Sequence, residues 1–178
     1  LRMHGDLLPI KFRDLSASEL ESYVAEILSD SQQARFQSGH DLDFSYVGED
    51  ESRFRVNLFR KDTGPGATFR YIPSNIPTLD GLGLPSVVEK LCDLHQGMVL
   101  VTGSTGTGKS TTLAAMIDLI NKTKAVNIIS LEDPIEFVHD SKRAQVIQRE
   151  LVTHIHSFAD GVRAAMREDR DVILVVEL

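Results

Sequence analysis

The sequence predicts an α/β protein in two parts. A small α+β domain covers residues 1–72, a linker 73–84, and an α/β domain 85–178. Three observations lead there. Apolar and polar residues alternate with period two through most of 42–71, as half-buried strands require. Pro73 to Gly83 then gathers two prolines and two glycines around Ser, Asn and Thr, a composition that cannot continue a sheet. Beyond it, short β-branched runs alternate with segments of helical period, the pattern of a parallel sheet covered by helices.

Taken in order, Ile10 and Phe12 alternate with Lys11 and Arg13 and predict an extended start. Ser16 and Glu19 then make an S-x-x-E capping box. The helix it opens carries Leu20, Tyr23, Val24, Ile27 and Leu28 on one stripe, and a second short helix runs from Ser31 until Gly39 stops it. Leu42, Phe44 and Tyr46 define the first of three expected antiparallel strands. Phe54, Val56 and Leu58 define the second, against Arg53, Arg55 and Asn57, and Ala67, Phe69 and Tyr71 the third, against Thr68 and Arg70. Lys61 to Gly66, rich in Gly and Pro, reads as the hairpin loop between the last two.

Past the linker, a helix from about Pro85 leads into Met98–Thr102, whose apolar β-branched character predicts a buried strand. Leu113, Met116, Ile117 and Ile120 recur at helical spacing to about Lys122, and Asn127–Leu131 is a second buried strand. Ser157 and Asp160 cap a helix presenting Phe158, Val162, Ala165 and Met166, and Asp171–Val176 is a third buried strand.

Composition narrows the function classes. With 42% hydrophobic and 25% charged residues the chain reads as an ordinary globular protein, and no apolar run approaches the roughly 18 residues that span a bilayer. A formal charge of −7 argues against a broad nucleic-acid surface. The lone Cys92 lies in an apolar helical stretch and fits a reducing compartment. Leu1 is not a methionine and Leu178 follows an apolar run, so both ends read as cut. Residues 1–178 alone are therefore expected to leave the apolar strand Val172–Val176 uncovered and to show negligible activity.

Gly103 to Ser110 reads GSTGTGKS and fits GxxxxGK[ST] between an expected strand and helix, which predicts a nucleoside triphosphate site. Gly103, Gly106 and Gly108 permit the tight turn. The backbone of Ser104, Thr105 and Thr107 then points N–H groups inward with the positive end of the helix. Lys109 is placed for the β- and γ-phosphates, the Ser110 hydroxyl for Mg²⁺, and Thr111 and Thr112 for further phosphate contacts. Asn121-Lys-Thr-Lys124 lacks the aspartate of a guanine-reading NKxD motif, so ATP is the expected nucleotide. Glu177 after Val172–Val176 has the position of a Walker B carboxylate beside Mg²⁺. Glu132, Asp133 and Glu136 end the second strand around Pro134 and are the acids the sheet offers for activating water. Arg53, Arg55 and Arg70 fall on alternate strand positions and form either an anion-seeking face or a solvated one. His154 and His156 lack further metal ligands at suitable spacing and read as loop residues.

RFRVNLF at 53–59, FRYIPSNIPTLDGLGLP at 69–85, GMVLVTGSTGTGKSTTLAAMIDLIN at 97–121 and LEDPIEFVH at 131–139 together resemble the type II/IV secretion ATPase superfamily. Within it they are most similar to the PilT-type retraction ATPases of type IV pili. The resemblance implies a PAS-like domain linked to a RecA-like ATPase domain, here ending after the Walker B strand. It implies a homo-hexamer that uses ATP and Mg²⁺ to remove pilin at the cytoplasmic face of the inner membrane, with the pilus platform protein and pilin machinery as partners. By the same resemblance Glu136 is the catalytic glutamate, Glu177 the Walker B acid, and Arg55 and Arg70 the arginines that reach the γ-phosphate. Val176 stands where the family usually has Gly, and Arg170 where it usually has Pro. Other readings that fit are a pilus-extension or type II secretion ATPase, and a nucleotide-binding assembly subunit without turnover.

Overall fold

A computed structural model describes residues 1–3 and 6–176 of the chain. Glu177, the expected Walker B acid, lies outside the described residues. Two compact units emerge, Leu1–Leu42 with Asn57–Thr68, and Asp43–Val56 with Phe69–Leu178.

The first unit opens with β1 (Arg2–Met3) and β2 (Asp6–Leu7), an antiparallel pair, while Ile10 and Phe12 lie exposed outside any strand. Helix α1 (Ala17–Ile27) begins at the expected capping box. Ser16 accepts from the Glu19 amide, and the Glu19 side chain accepts from the Ser16 amide. Helix α2 (Asp30–Gln37) repeats the device with Ser29 and Gln32. Its last turn is followed by Gly39 at φ 94°, a conformation that favours glycine. Val24, Phe36, Leu42 and Leu58 are buried, and the Arg60 guanidinium lies 4.4 Å from the centroid of the Phe36 ring.

Strands β3 (Leu42–Val47), β4 (Arg53–Lys61) and β5 (Gly64–Ile72) form one sheet in that order. The loop between β4 and β5 is only Asp62 and Thr63, shorter than the expected Lys61–Gly66. Pro65 is therefore a strand residue, and it is tolerated because β5 is an edge strand that needs no donor there. Phe69 and Tyr71 were expected on the covered face, yet both are about half exposed. They meet the Phe54 ring edge to face instead.

In the second unit α3 (Val87–Cys92) packs on α4 (Lys109–Thr123). A parallel sheet has the order β7 (Gln145–Glu150), β6 (Asn127–Glu132), β8 (Val172–Val175). Side-chain alternation along β6 sends Ile128 to a core with Ala115, Met116, Ile117 and Ile120 of α4. It sends Ile129 and Leu131 to a second core with α5 (Phe158–Ala165), whose Ser157 cap accepts from the Asp160 amide as expected. Both faces of the sheet are thereby covered.

Two elements differ from the sequence reading. Met98–Thr102 forms no ladder, and Met98, Val99 and Leu100 are exposed rather than buried. The segment and β8 both line a cavity of about 1000 Å³. The third strand of the sheet is instead β7, whose QVIQRE has too many polar residues to read as a buried strand. Those polar side chains are used internally, for example Arg149 Nη2 donating to Glu168 Oε1 at 2.7 Å.

Candidate nucleotide site

The phosphate loop is shaped by three glycines with positive φ, Gly103 (155°), Gly106 (82°) and Gly108 (91°). A Cβ at Gly103 would stand 2.8 Å from Thr107 Oγ1, which itself donates to Ser104 O at 2.8 Å, so the loop closes on its own hydroxyl. Gly108 is the N-cap of α4 and offers no side-chain cap, leaving the first-turn amides of Lys109, Ser110 and Thr111 free of an internal cap acceptor. That is a ready anion site at the positive end of a 15-residue helix. Lys109 Nζ donates to Gly103 O (2.9 Å) and Ser104 O (3.0 Å), which holds its ammonium over the loop.

One cavity of about 1000 Å³ is lined by Gly103, Thr105, Gly106 and Gly108 to Thr111 of the loop and helix, by Glu136, by Arg55 and Arg70, and by Ile173–Val176. Ser104 and Thr107 are loop residues outside its lining. Arg53 is outside it too, with a buried Nε lacking a hydrogen-bond partner. Arg55 is held from two sides within this unit. Its Nε and Nη2 chelate Asp43, the shortest contact being 2.7 Å, and its Nη1 lies 3.7 Å from Glu136 Oε1. A second cavity of about 20 Å³, room for one water, lies among Ser110, Glu132, Glu136, His139 and Val176.

Glu132, one of the three acids offered by the sequence, is a buried structural carboxylate. Its Oε1 accepts from Ser130 Oγ (2.6 Å) and Gln148 Nε2 (2.9 Å). Burial pushes its pKa above the usual carboxylate range, and those two hydrogen bonds only partly oppose the shift. Burial also pushes the His139 imidazole down, towards its neutral form. Of the acids, Glu136 is the one that reaches the large cavity.

Asn121 belongs to the core and not to base recognition. Its Nδ2 donates to Asp140 O at 2.8 Å and its Oδ1 accepts from Lys142 N at 3.0 Å. His154 is a turn residue whose Nδ1 accepts from the Glu150 amide at 3.0 Å. Among the described residues no group of three or more His, Cys, Asp or Glu residues is placed to hold a metal, and Ser110, the expected Mg²⁺ ligand, lines both cavities. The sequence reading missed Asp43, Gln148 and Glu150. Their signal is weak, since each is one polar residue in an alternating strand.

Comparison with known proteins fits this arrangement. The chain is 48% identical over all its 178 residues to a twitching motility protein of Neisseria gonorrhoeae, covering 48% of that protein. It is 44% identical over the same 178 residues to the type IV pilus retraction ATPase PilT of Pseudomonas aeruginosa, covering 52% of it. It therefore spans about half the length of the curated relatives it matches. A crystal structure of the pilus retraction motor PilT with bound ADP superposes with a TM-score of 0.85 at 44% identity, covering 89% of this chain and 46% of that one. The fold is accordingly α/β, a small α+β N-terminal part followed by part of a RecA-like ATPase domain. Residues 2–178 match the family profile described as type II/IV secretion system protein, and the chain belongs to that family.

Proposed function

We propose that the protein is an ATPase motor of type IV pilus retraction. The observation that carries this reading is one cavity bringing the uncapped start of α4 and Lys109 together with Glu136, Arg55 and Arg70. Inward amides, an ammonium and a helix N-terminus suit a polyphosphate, and the PilT crystal structure similar to this chain has ADP bound. Glycines 103, 106 and 108 with Ser104, Thr105, Thr107 and Thr111 cradle the phosphates. Lys109 neutralises the β- and γ-oxygens, and the Ser110 hydroxyl and Glu177 hold Mg²⁺. When bound, Mg²⁺ supplies charge neutralisation at the leaving phosphate.

Glu136 orients and deprotonates the attacking water, while Arg55 and Arg70 stabilise charge on the γ-phosphate. For Arg55 to turn to phosphate it exchanges its contact with Glu136 for the anion, which frees the carboxylate to accept a proton. Working as a homo-hexamer with the pilus platform protein and pilin, at the cytoplasmic face of the inner membrane, is part of this proposal. No described helix is long and apolar enough to cross a membrane, and peripheral association with the membrane is likewise part of the proposal. The acidic balance of the chain makes nucleic acid an unsuitable partner.

Calorimetry of the whole protein with Mg²⁺-ATP, Mg²⁺-GTP and the Lys109→Ala variant tests the nucleotide assignment. ATP is expected to bind more tightly than GTP, and the variant to show no measurable heat. Equal affinity for the two nucleotides, or unchanged ATP binding by Lys109→Ala, would count against it.

A further inference from the structure

We propose that Gln148 and Glu150 of β7 are positioning residues for Glu136, clamping the loop at 133–139 through its backbone. This rests on the reading of Glu136 given above. The loop has no ladder of its own, so its backbone polar groups must find partners elsewhere or be left unpaired, which is destabilising. Glu132 of β6 takes the Glu136 amide, and the other bonds come from two side chains on one face of β7, at positions two apart. Glu150 Oε2 accepts from Ile135 N at 3.1 Å. Gln148 Oε1 accepts from His139 N at 2.8 Å, and Gln148 Nε2 donates to Phe137 O at 2.8 Å and to Glu132 Oε1 at 2.9 Å.

The contacts at 135 and 137 bracket Glu136 on either side, and the contact at 139 fixes where the loop leaves. Gln148 sits opposite Ser130, and Glu150 opposite Glu132, in the parallel register of β7 on β6, so the clamp is anchored to the strand that feeds the loop. An amide side chain suits this place because it accepts through Oε1 and donates through Nε2 at once. Glu150 needs acceptors alone, since it also receives Ser45 Oγ and Thr153 Oγ1, each at 3.1 Å. A general base displaced by about 1 Å can lose on the order of 10²-fold in rate, so the clamp should act on kcat and leave nucleotide affinity alone.

The test uses Gln148→Leu, Glu150→Leu and Glu150→Gln in the whole protein, with steady-state ATP hydrolysis, ADP calorimetry and amide exchange of peptides covering 133–139. Gln148→Leu and Glu150→Leu are expected to lower kcat about 10- to 100-fold while the KM for ATP and the Kd for ADP move less than about threefold. Exchange should quicken in 133–139 and not in α4. Glu150→Gln, which keeps an acceptor for Ile135 N, should restore most of the rate. In a Glu136→Gln background Gln148→Leu should cost little more, since both act on one step. Unchanged exchange across 133–139 in Gln148→Leu overturns the clamp, as does a double variant whose losses multiply. If Glu136→Gln itself turns over normally, the assignment of Glu136 fails and the positioning role fails with it. The exchange result still reports separately whether β7 holds the loop.

Discussion

Arg55 sits between two carboxylates that make opposite demands on it. Asp43 takes its guanidinium in a chelating geometry and so sets the direction of the side chain, while Glu136 touches only Nη1 and at 3.7 Å. Loss of Arg55 should then show in turnover and hardly in product binding, because ADP lacks the γ-phosphate that Arg55 is proposed to reach. Arg55→Ala is expected to lower kcat by on the order of 10³-fold, with ADP affinity in calorimetry changed by less than about threefold. Arg55→Lys should not restore the rate, since a point charge cannot chelate Asp43 and reach phosphate together. Parallel loss of ADP affinity would assign Arg55 to folding instead. The alternation along β4 made Arg55 legible in the sequence, and β5 did the same for Arg70. Asp43 was not, because nothing in one strand's pattern says which acid on the neighbouring strand will face which arginine.

Glu132 makes a prediction of its own with a definite sign. Its carboxyl is held above the usual range by burial, so the stabilising proton is present below the unfolded pKa and lost as pH rises through the higher folded value. Glu132→Gln keeps an acceptor for Ser130 and Gln148 and has no charge to bury. Thermal unfolding should show the variant gaining on the parent as pH rises from 4 towards 8, and the two converging at the acid end. A variant that loses stability steadily over that range would show that the carboxylate is ionised and wanted there.

At the scale of elements, the β4–β5 hairpin depends on Gly66 having no side chain. A Cβ there would stand 2.5 Å and 2.7 Å from carbons of the Phe59 ring, a flat group that cannot move aside cheaply. Gly66→Ala should cost about 1–3 kcal/mol in denaturant unfolding, and Gly66→Ala with Phe59→Leu should recover part of it. A neutral Gly66→Ala would mean the hairpin is looser than described. On α4, Asp118 is buried and bonded to Lys142 (2.6 Å) and Lys122 (2.5 Å). Burial alone would raise its pKa, but these bonds outweigh it and lower the pKa. Its contribution is thus present above the unfolded carboxylate pKa and lost as pH falls through the lower folded one. Asp118→Asn should destabilise by about 2 kcal/mol near neutrality, a deficit that shrinks in acid melts.

Helices were the legible elements, since the capping box at Ser16 and the N-cap at Ser157 carry their own local chemistry. Met98–Thr102 was not. Composition reports that a segment suits a strand, whereas a strand exists only if a neighbour lies about 4.8 Å away. For the opposite reason β7 escaped notice, because its polar residues satisfy buried partners and break the apolar run that would reveal it.

For the whole molecule, a sheet with α4 on one face and α5 on the other presents the phosphate loop, Glu136 and the end of β8 at one rim of one cavity. This is the rim where open α/β sheets bind ligands. The central claim is that this rim hydrolyses ATP with Glu136 activating the water, and it is tested most directly by Glu136→Gln in the whole protein, with phosphate release and ATP calorimetry measured on the same preparation. Turnover should fall by about 10²- to 10⁴-fold while ATP affinity stays within about threefold of the parent. Turnover at the parental rate, or a fall in ATP affinity that accounts for the lost rate, would contradict the claim.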